Sequence, residues 1–317
     1  MAQPREAHSV RTERFRSPAW RLLAGIVLLA LVLWRLGPAE VLRATRAMSV
    51  DVLVPALLLA MLPPLCHAWR WHRLLETVQQ RIPFLDAVRV TVAASTANYL
   101  LPAFGWAPAK VVTSRRWLGI GVERSLPTLV IEQALDLGVL AFCAAIGLWR
   151  SGSVPRALVS ASFFRERSVL GILVLAGVAG AVLVAALSAR VRRFGRGVMT
   201  SGQRIVRVAW RDPVVWSTTS GRWGAELLLL ALLVHAAQLP FGWGDLLVLL
   251  GAPGIVGALS PTPGGLGVRE ATGVLLAGWL AWDPPTVGAV LAWQRVMTVL
   301  GLGLVGVGTS LVRRAQS

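Results

Sequence analysis

The sequence predicts an all-α, polytopic integral membrane protein of about eight transmembrane helices with one or two re-entrant or broken segments. Three observations predict it. Of the 317 residues, 55% are hydrophobic and only 15% charged, against about 25% charged in a soluble domain, and the mean hydropathy is +0.64. Apolar runs near the ~20 residues that cross a bilayer recur along the chain. The 32 basic residues outnumber the 15 acidic ones, for a net charge of +17, and they fall between the apolar runs rather than in one block. That pattern fits loops held against anionic headgroups and argues against a nucleic-acid surface.

The first element is a basic tail, residues 1–19, followed by an apolar run from Leu22 to Leu33. The tail resembles a signal peptide, but no small-x-small cleavage site follows it and further spans do, so a retained first helix is expected. Residues 20–312 form the membrane domain. Its clear spans are 20–36, 52–68, 125–149, 168–188, 222–240, 268–282 and 286–311; the segments 86–104 and 243–260 are apolar but marginal. If 86–104 enters and leaves on one side and 243–260 crosses, there are eight spans with both termini on the same side; a re-entrant 243–260 reverses the C-terminus. The basic tail, the arginine-rich loop 189–221 and the short tail 313–317, preceded by no acidic counterweight, place that side in the cytoplasm of an inner (cell) membrane. Trp20, Trp34, Trp149, Trp223, Trp243, Trp279 and Trp282 sit near span ends, where an aromatic belt is expected.

Cys66 and Cys143 lie in apolar runs without a C-x-x-C pair, and the four histidines are scattered. Neither a disulfide framework nor a metal site is suggested, and no cofactor is expected.

The polar residues that interrupt the apolar sequence are the candidate site. Ser260-Pro-Thr-Pro-Gly-Gly-Leu-Gly-Val-Arg-Glu270 is a run of helix breakers ending in an ion-pairable Arg269–Glu270. Irregular backbone at bilayer depth is tolerated only where protein or a wet cavity covers it, so a break beside a carboxylate marks a ligand site. Within it, Pro263 stops a helix, Gly264, Gly265 and Gly267 allow close backbone approach, and Glu270 falls in the first turn of the next helix. Glu132 and Asp136, four apart, share one helical face; they either line a polar path or pair with interfacial cations such as Arg115 or Arg124. Arg295 has no acid on its own helix and needs an anion, with Glu270, Glu132, Asp136 or a lipid phosphate as the options. Glu226 follows Arg222 by four residues and suits a pair along the helix. His235 reads as a packing residue, and Arg70-Trp-His-Arg-Leu-Leu75 as an interfacial collar. Asn98-Tyr-Leu-Leu-Pro102 ends a marginal segment as Ser260–Pro263 does, each with a cation soon after (Lys110, Arg269), which hints at an internal duplication.

These residues resemble the transmembrane, flippase-like region of lysylphosphatidylglycerol synthases and their stand-alone relatives over roughly residues 20–312. Pro263-Gly-Gly-Leu-Gly-Val-Arg-Glu270 is similar to the family's late Pro-Gly-Gly-x-Gly-x-x-Glu motif. Arg70-Trp-x-x-Leu-Leu75, Asn98 with Pro102, Glu132 with Asp136, and Arg295 also fall at family-like positions. The chain departs from the family where Trp106 and Ala107 replace Gly-Glu, Lys110 replaces an arginine, and Gln133 stands where an arginine often follows the glutamate. The resemblance implies handling of a lipid, either an anionic phospholipid or a polyprenyl-linked one, between leaflets. Lys110 and Arg295 would hold its phosphate, and Glu132, Asp136 and Glu270 would balance the charge. The synthase's soluble aminoacyl-transfer domain is not expected, so the chain reads as a non-enzyme. The alternative is a membrane enzyme, or an accessory subunit, acting on lipid-linked sugar or aminoacyl lipid. Expected partners are a membrane lipid and a separately encoded lipid-modifying enzyme, not nucleic acid. No G-x-x-x-x-G-K-[ST] loop is present, which leaves an ion gradient or passive equilibration as the drive.

Overall fold

The computed structural model describes residues 50–78, 80–100, 106–150, 202, 205–240, 242–260 and 262–316. The expected spans 20–36 and 168–188, residues 189–201, 203 and 204 of the loop 189–221, Pro102 and Pro261 lie outside them. The described residues are helical, with no strand among them.

Among the described residues, eight helices of at least 12 residues follow one another: α1 (Val50–Thr77), α2 (Phe84–Leu100), α3 (Trp106–Leu118), α4 (Val122–Arg150), α5 (Pro213–Ala236), α6 (Trp243–Leu259), α7 (Val268–Trp279) and α8 (Pro284–Gln316), with a 3-10 turn at Pro263–Gly265. Stretches of α1 (Asp51–Thr77), α4 (Val122–Arg150) and α8 (Pro284–Val312) are long and apolar enough to cross a membrane. The 268–282 segment is not a long span of its own. Its helix α7 starts at Val268 as expected but has only 12 residues, because it ends at Trp279; that is about 18 Å at 1.5 Å per residue.

Lengths repeat along the chain. A long helix, a pair of short helices and a second long helix occur as α1 (28 residues), α2 and α3 (17 and 13), and α4 (29). They recur as α5 (24 residues), α6 and α7 (17 and 12), and α8 (33). Each short pair is antiparallel. Arg89 of α2 stacks 5.6 Å from the Trp117 ring of α3; Gly257 of α6 faces Arg269 of α7, and Leu249 faces Gly273.

The two pairs point in opposite directions. Arg73 near the end of α1 bonds Asp212 just before α5. Short links join α1 to α2 and α3 to α4, so α1 and α3 end, and α2, α4 and α5 begin, at one end of the bundle. Gly147 near the end of α4 packs on Gly244 and Val248 near the start of α6, which puts the open ends of α6 and α7 at the other. The closed tips meet between them: Gly264 lies against Tyr99 and the Asn98 carbonyl. The helix lengths and directions match the pattern that the two breaker segments hint at, with the second set running the opposite way.

Close helix contacts hold the frame. The main core joins Ala56 and Ala60 of α1, Leu229, Leu230 and Leu233 of α5, Leu249 and Leu250 of α6 and Val290 of α8. Pro64 has no N–H for the Ala60 carbonyl, and Gly301 of α8 packs on that carbonyl, where a Cβ would lie 2.6 Å from the oxygen. A Cβ at Gly251 would likewise sit 2.6 Å from the Leu140 carbonyl oxygen and the Ala144 nitrogen of α4. Both neighbours are backbone and cannot swing aside. Gly251→Leu is therefore expected to lower stability by about 1–3 kcal/mol or more, read as a drop in unfolding temperature of the detergent-solubilised protein; an unchanged midpoint would mean that α4 and α6 do not pack this closely.

Candidate functional site

Asp136 sits on α4 where α1 and α5 converge. Arg70 of α1 donates to both its oxygens, at 2.8 and 2.9 Å. Arg222 of α5 donates to Oδ2, and the Trp223 indole N–H donates to Oδ1 at 3.0 Å. Arg70 is fully buried and also donates to the Thr219 hydroxyl at 3.2 Å. One turn earlier on α4, Glu132 accepts from Lys110 Nζ at 2.9 Å. His67 Nε2 lies 3.1 Å from its other oxygen, and Arg70 Nε 3.7 Å. The Lys110 ammonium stands 4.5 Å over the Trp71 ring, whose N–H donates to Thr128. Lys110 and Glu132 are both fully buried.

A second cluster lies at the tip between α6 and α7. Gly264, Gly265 and Gly267 all take positive φ, at 55°, 68° and 76°, the left-handed region that favours glycine. Positive φ at these glycines turns the chain tightly enough for the Gly267 N–H to donate to Glu270 Oε2 at 2.8 Å. Arg295 of α8 donates to Glu270 Oε1 at 2.6 Å and to the Gly264 carbonyl at 3.2 Å. The guanidinium thus ties the carboxylate to the broken backbone. Arg269 turns the other way, lying 3.9 Å from Glu226 and donating to Gln294 at 3.3 Å; the Gln294 amide donates to Glu226 at 3.1 Å.

A cavity of about 220 Å³ separates the two clusters. His67, Asp136, Arg222, Glu226 and Arg269 line it, with Asn98, Tyr99, Gln133 and Trp223 among its other walls.

Of the sequence-predicted residues, Asn98, Asp136, Gly264 and Gly265 line the cavity. Lys110, Glu132, Pro263, Gly267, Glu270 and Arg295 build the flanking walls, and Pro102 lies outside the described residues. Several expected pairings differ. Arg269 and Glu270 do not pair, because adjacent residues of a helix point about 100° apart. Arg222 reaches Asp136 rather than Glu226, since burial of Asp136 between helices outweighs a weak pair along one helix. Glu132 takes Lys110 and His67 rather than Arg115 or Arg124, which are exposed. Trp223 serves Asp136 rather than a belt, and Trp282 is buried in the core. His235 is exposed near the end of α5.

The residues that sequence reasoning passed over are Arg70, His67, Gln133 and Trp223, together with the cavity-facing role of Arg222, Glu226 and Arg269. His67 and Arg70 have helical spacing and sit after Pro63-Pro64 on one face of α1, a signal that the collar reading of Arg70–Leu75 obscured.

A family-wide sequence model, Lysylphosphatidylglycerol synthase TM region, matches residues 19–306. The chain belongs to this family. No curated protein sequence matches it. Membership gives a membrane domain with a lipid-related function, and the matched region includes Pro263–Glu270.

Arg70 is the strut of the site. Arg70→Ala would leave Glu132 and Asp136 short of a buried cation, at a cost of about 3–5 kcal/mol. Arg70→Met combined with Asp136→Leu, which removes both charges, is expected to recover part of that loss. Unfolding midpoints of the three proteins in one detergent check the order; a single variant as stable as the parent would show that the pair holds nothing.

Proposed function

We propose that this protein binds the phosphate of a membrane lipid headgroup in the central cavity and passes it between leaflets. The observation that carries the reading is a cavity lined by ionised side chains between the tips of two short helical pairs that enter from opposite ends. Charges inside a membrane are costly and mark pathways or binding sites. Breaks at matched positions of an inverted repeat are where transporters place theirs. At about 220 Å³ the cavity falls below the ~300–1,000 Å³ of sites for drug-sized ligands. It suits a headgroup whose acyl chains stay in the bilayer.

In this reading α2–α3 and α6–α7 are re-entrant. Charge sets the orientation: Arg81, Arg115, Arg116, Arg124, Arg207 and Arg211 are exposed at the end where α4 and α5 begin, whereas Asp245 and Asp283 sit at the other. The positive-inside rule makes the basic end cytoplasmic. Tyr99 against Gly264 then closes the path at mid-depth, and headgroup passage needs the two tips to part. Catalysis at the carboxylates is less favoured, because Glu132, Asp136 and Glu270 are each held by a cation and none is left as a free acid or base.

Proteoliposomes carrying the purified chain and a trace of headgroup-fluorescent anionic phospholipid test this. Dithionite is expected to bleach the inner-leaflet pool as well as the outer one, in proportion to protein content. Bleaching that stops at the outer leaflet for every lipid class, in vesicles shown to hold folded protein, would remove transport from the reading.

A further inference from the structure

Among the described residues His67 is the one histidine in the cavity wall, and its Nε2 faces two partners that it cannot serve at once. Lys110 Nζ lies 3.4 Å away and can only donate, so Nε2 accepts from it when that nitrogen carries no proton. Glu132 Oε1 lies 3.1 Å away and, as a carboxylate oxygen, can only accept. That oxygen is buried and accepts no hydrogen bond, and the buried Arg70 Nε, 3.7 Å from it, donates none. A buried carboxylate oxygen without a donor is costly, and a proton on Nε2 supplies the donor.

The surroundings hold the ring and leave the exchange open. Trp106 packs edge-on against the imidazole, with ring centroids 6.1 Å apart. Lys110 keeps Glu132 Oε2 at 2.9 Å and the Trp71 face at 4.5 Å whether or not it donates to His67. Protonation therefore breaks one bond, from Lys110 Nζ–H to Nε2, and forms one, from Nε2–H to Oε1. The proton arrives through the cavity, where the His67 side chain is 13% exposed.

Charge ties that proton to a ligand. The charged groups that touch His67 or share its cavity wall are Arg70 on α1, Lys110 on α3, Glu132 and Asp136 on α4, Arg222 and Glu226 on α5 and Arg269 on α7. In that wall α2 brings Ser95 and Asn98, α6 Gly254 and Ala258, and α8 Thr298 and Leu302, all uncharged. With His67 neutral these are four cations against three carboxylates. Arg70 alone occupies both oxygens of Asp136, which leaves Arg222 as a surplus charge. A protonated His67 adds a second, and a phosphate in the same cavity offsets it, since opposite charges at short range attract strongly away from water.

We propose that His67, with Glu132 as its counter-ion, is a proton site that fills as a lipid phosphate enters the cavity, so that headgroup and proton move together. The inference rests on the lipid-binding reading above and adds the ion whose gradient can drive it. Linked binding is reciprocal, so the phosphate binds more tightly as the pH falls.

Calorimetric titration of the purified full chain in neutral detergent, run at one pH in two buffers of different ionisation heat, counts the protons taken up with the ligand. Dihexanoyl-phosphatidylcholine and dihexanoyl-phosphatidylglycerol are the probes, because a phosphodiester keeps its charge between about pH 5 and 8, the range in which histidine changes its own. Uptake approaching one proton per lipid is expected at about neutral pH, with affinity about five-fold or more higher at the acid end of the range than at the alkaline end. His67→Gln is expected to bind without proton uptake and with an affinity that is flat across the range. Gel filtration shows that the variant folds, and His67→Asn gives the same readout should it not. Binding without uptake in the parent would overturn the inference, reducing the two partners of Nε2 to an exchange of neutral tautomers, and would leave lipid binding intact. Uptake that survives in His67→Gln would overturn it by placing the proton elsewhere. No heat with either lipid in either buffer would remove the lipid reading and the inference with it.

Discussion

The structure depends on one carboxylate. Asp136 joins α1, α4 and α5 through Arg70, Arg222 and Trp223, beside an apolar cluster of Leu74, Ile131 and Val215 from the same three helices. Burying such a charge is favourable only if donors surround it. Four donor atoms do so here, two of them from one guanidinium. The requirement fixes the rotation of each helix about its axis. Arg70 can serve Asp136 only if His67 also faces inward, and Arg222 only if Glu226 does. The lining of the cavity is therefore largely a consequence of satisfying Asp136.

The second half solves the same problem with backbone. At the α6–α7 tip, chain outside regular helix exposes N–H and C=O groups that a bilayer interior cannot solvate. Glu270 accepts from the Gly267 N–H, and Arg295 donates to the Gly264 carbonyl. The ion pair between those side chains thus doubles as a cap for the break. One cluster consumes its charges in holding backbone, whereas the other holds helices together and leaves a guanidinium over. That asymmetry distinguishes the halves of an otherwise repeated architecture.

Much of this was legible in the sequence. Composition and spacing gave the all-helical membrane class, and the breaker run 260–267 marked the tip. The solitary Arg295 demanded an anion, and Glu270 supplies it. The four-residue spacing of Glu132 and Asp136 put both on one inward face. What the sequence hid was partnership across the bundle. Arg222 and Glu226 satisfy a local rule worth only tenths of a kcal/mol, and that rule loses to a buried carboxylate on another helix. Arg70 looked interfacial because a basic, aromatic run at a span end usually is. It is buried because Asp136 of α4 and Thr219 of α5, both distant in sequence, close over it. The 268–282 run was apolar enough to span, and only the turn after Trp279, with Ala281 at positive φ, shortens its helix.

The family pattern sharpens the meaning of the surplus charge. This chain departs from it by lacking an acid at Ala107 and a base at Gln133. These two changes cancel in net charge. They do change the character of the wall. Gln133 lines the cavity beside Asp136, and Trp106, next to Ala107, lines it too. An amide now stands where the resembled pattern has a base, and an alanine where it has an acid. A buried ion pair is geometrically demanding and repels a ligand that cannot pair with it; an amide offers both a donor and an acceptor to a hydroxyl. The departures thus leave the net charge of the wall in place while making the space beside Asp136 hospitable to uncharged polar groups. A cavity altered at two positions without altering its net charge is one in which charge is the constraint and headgroup shape the variable.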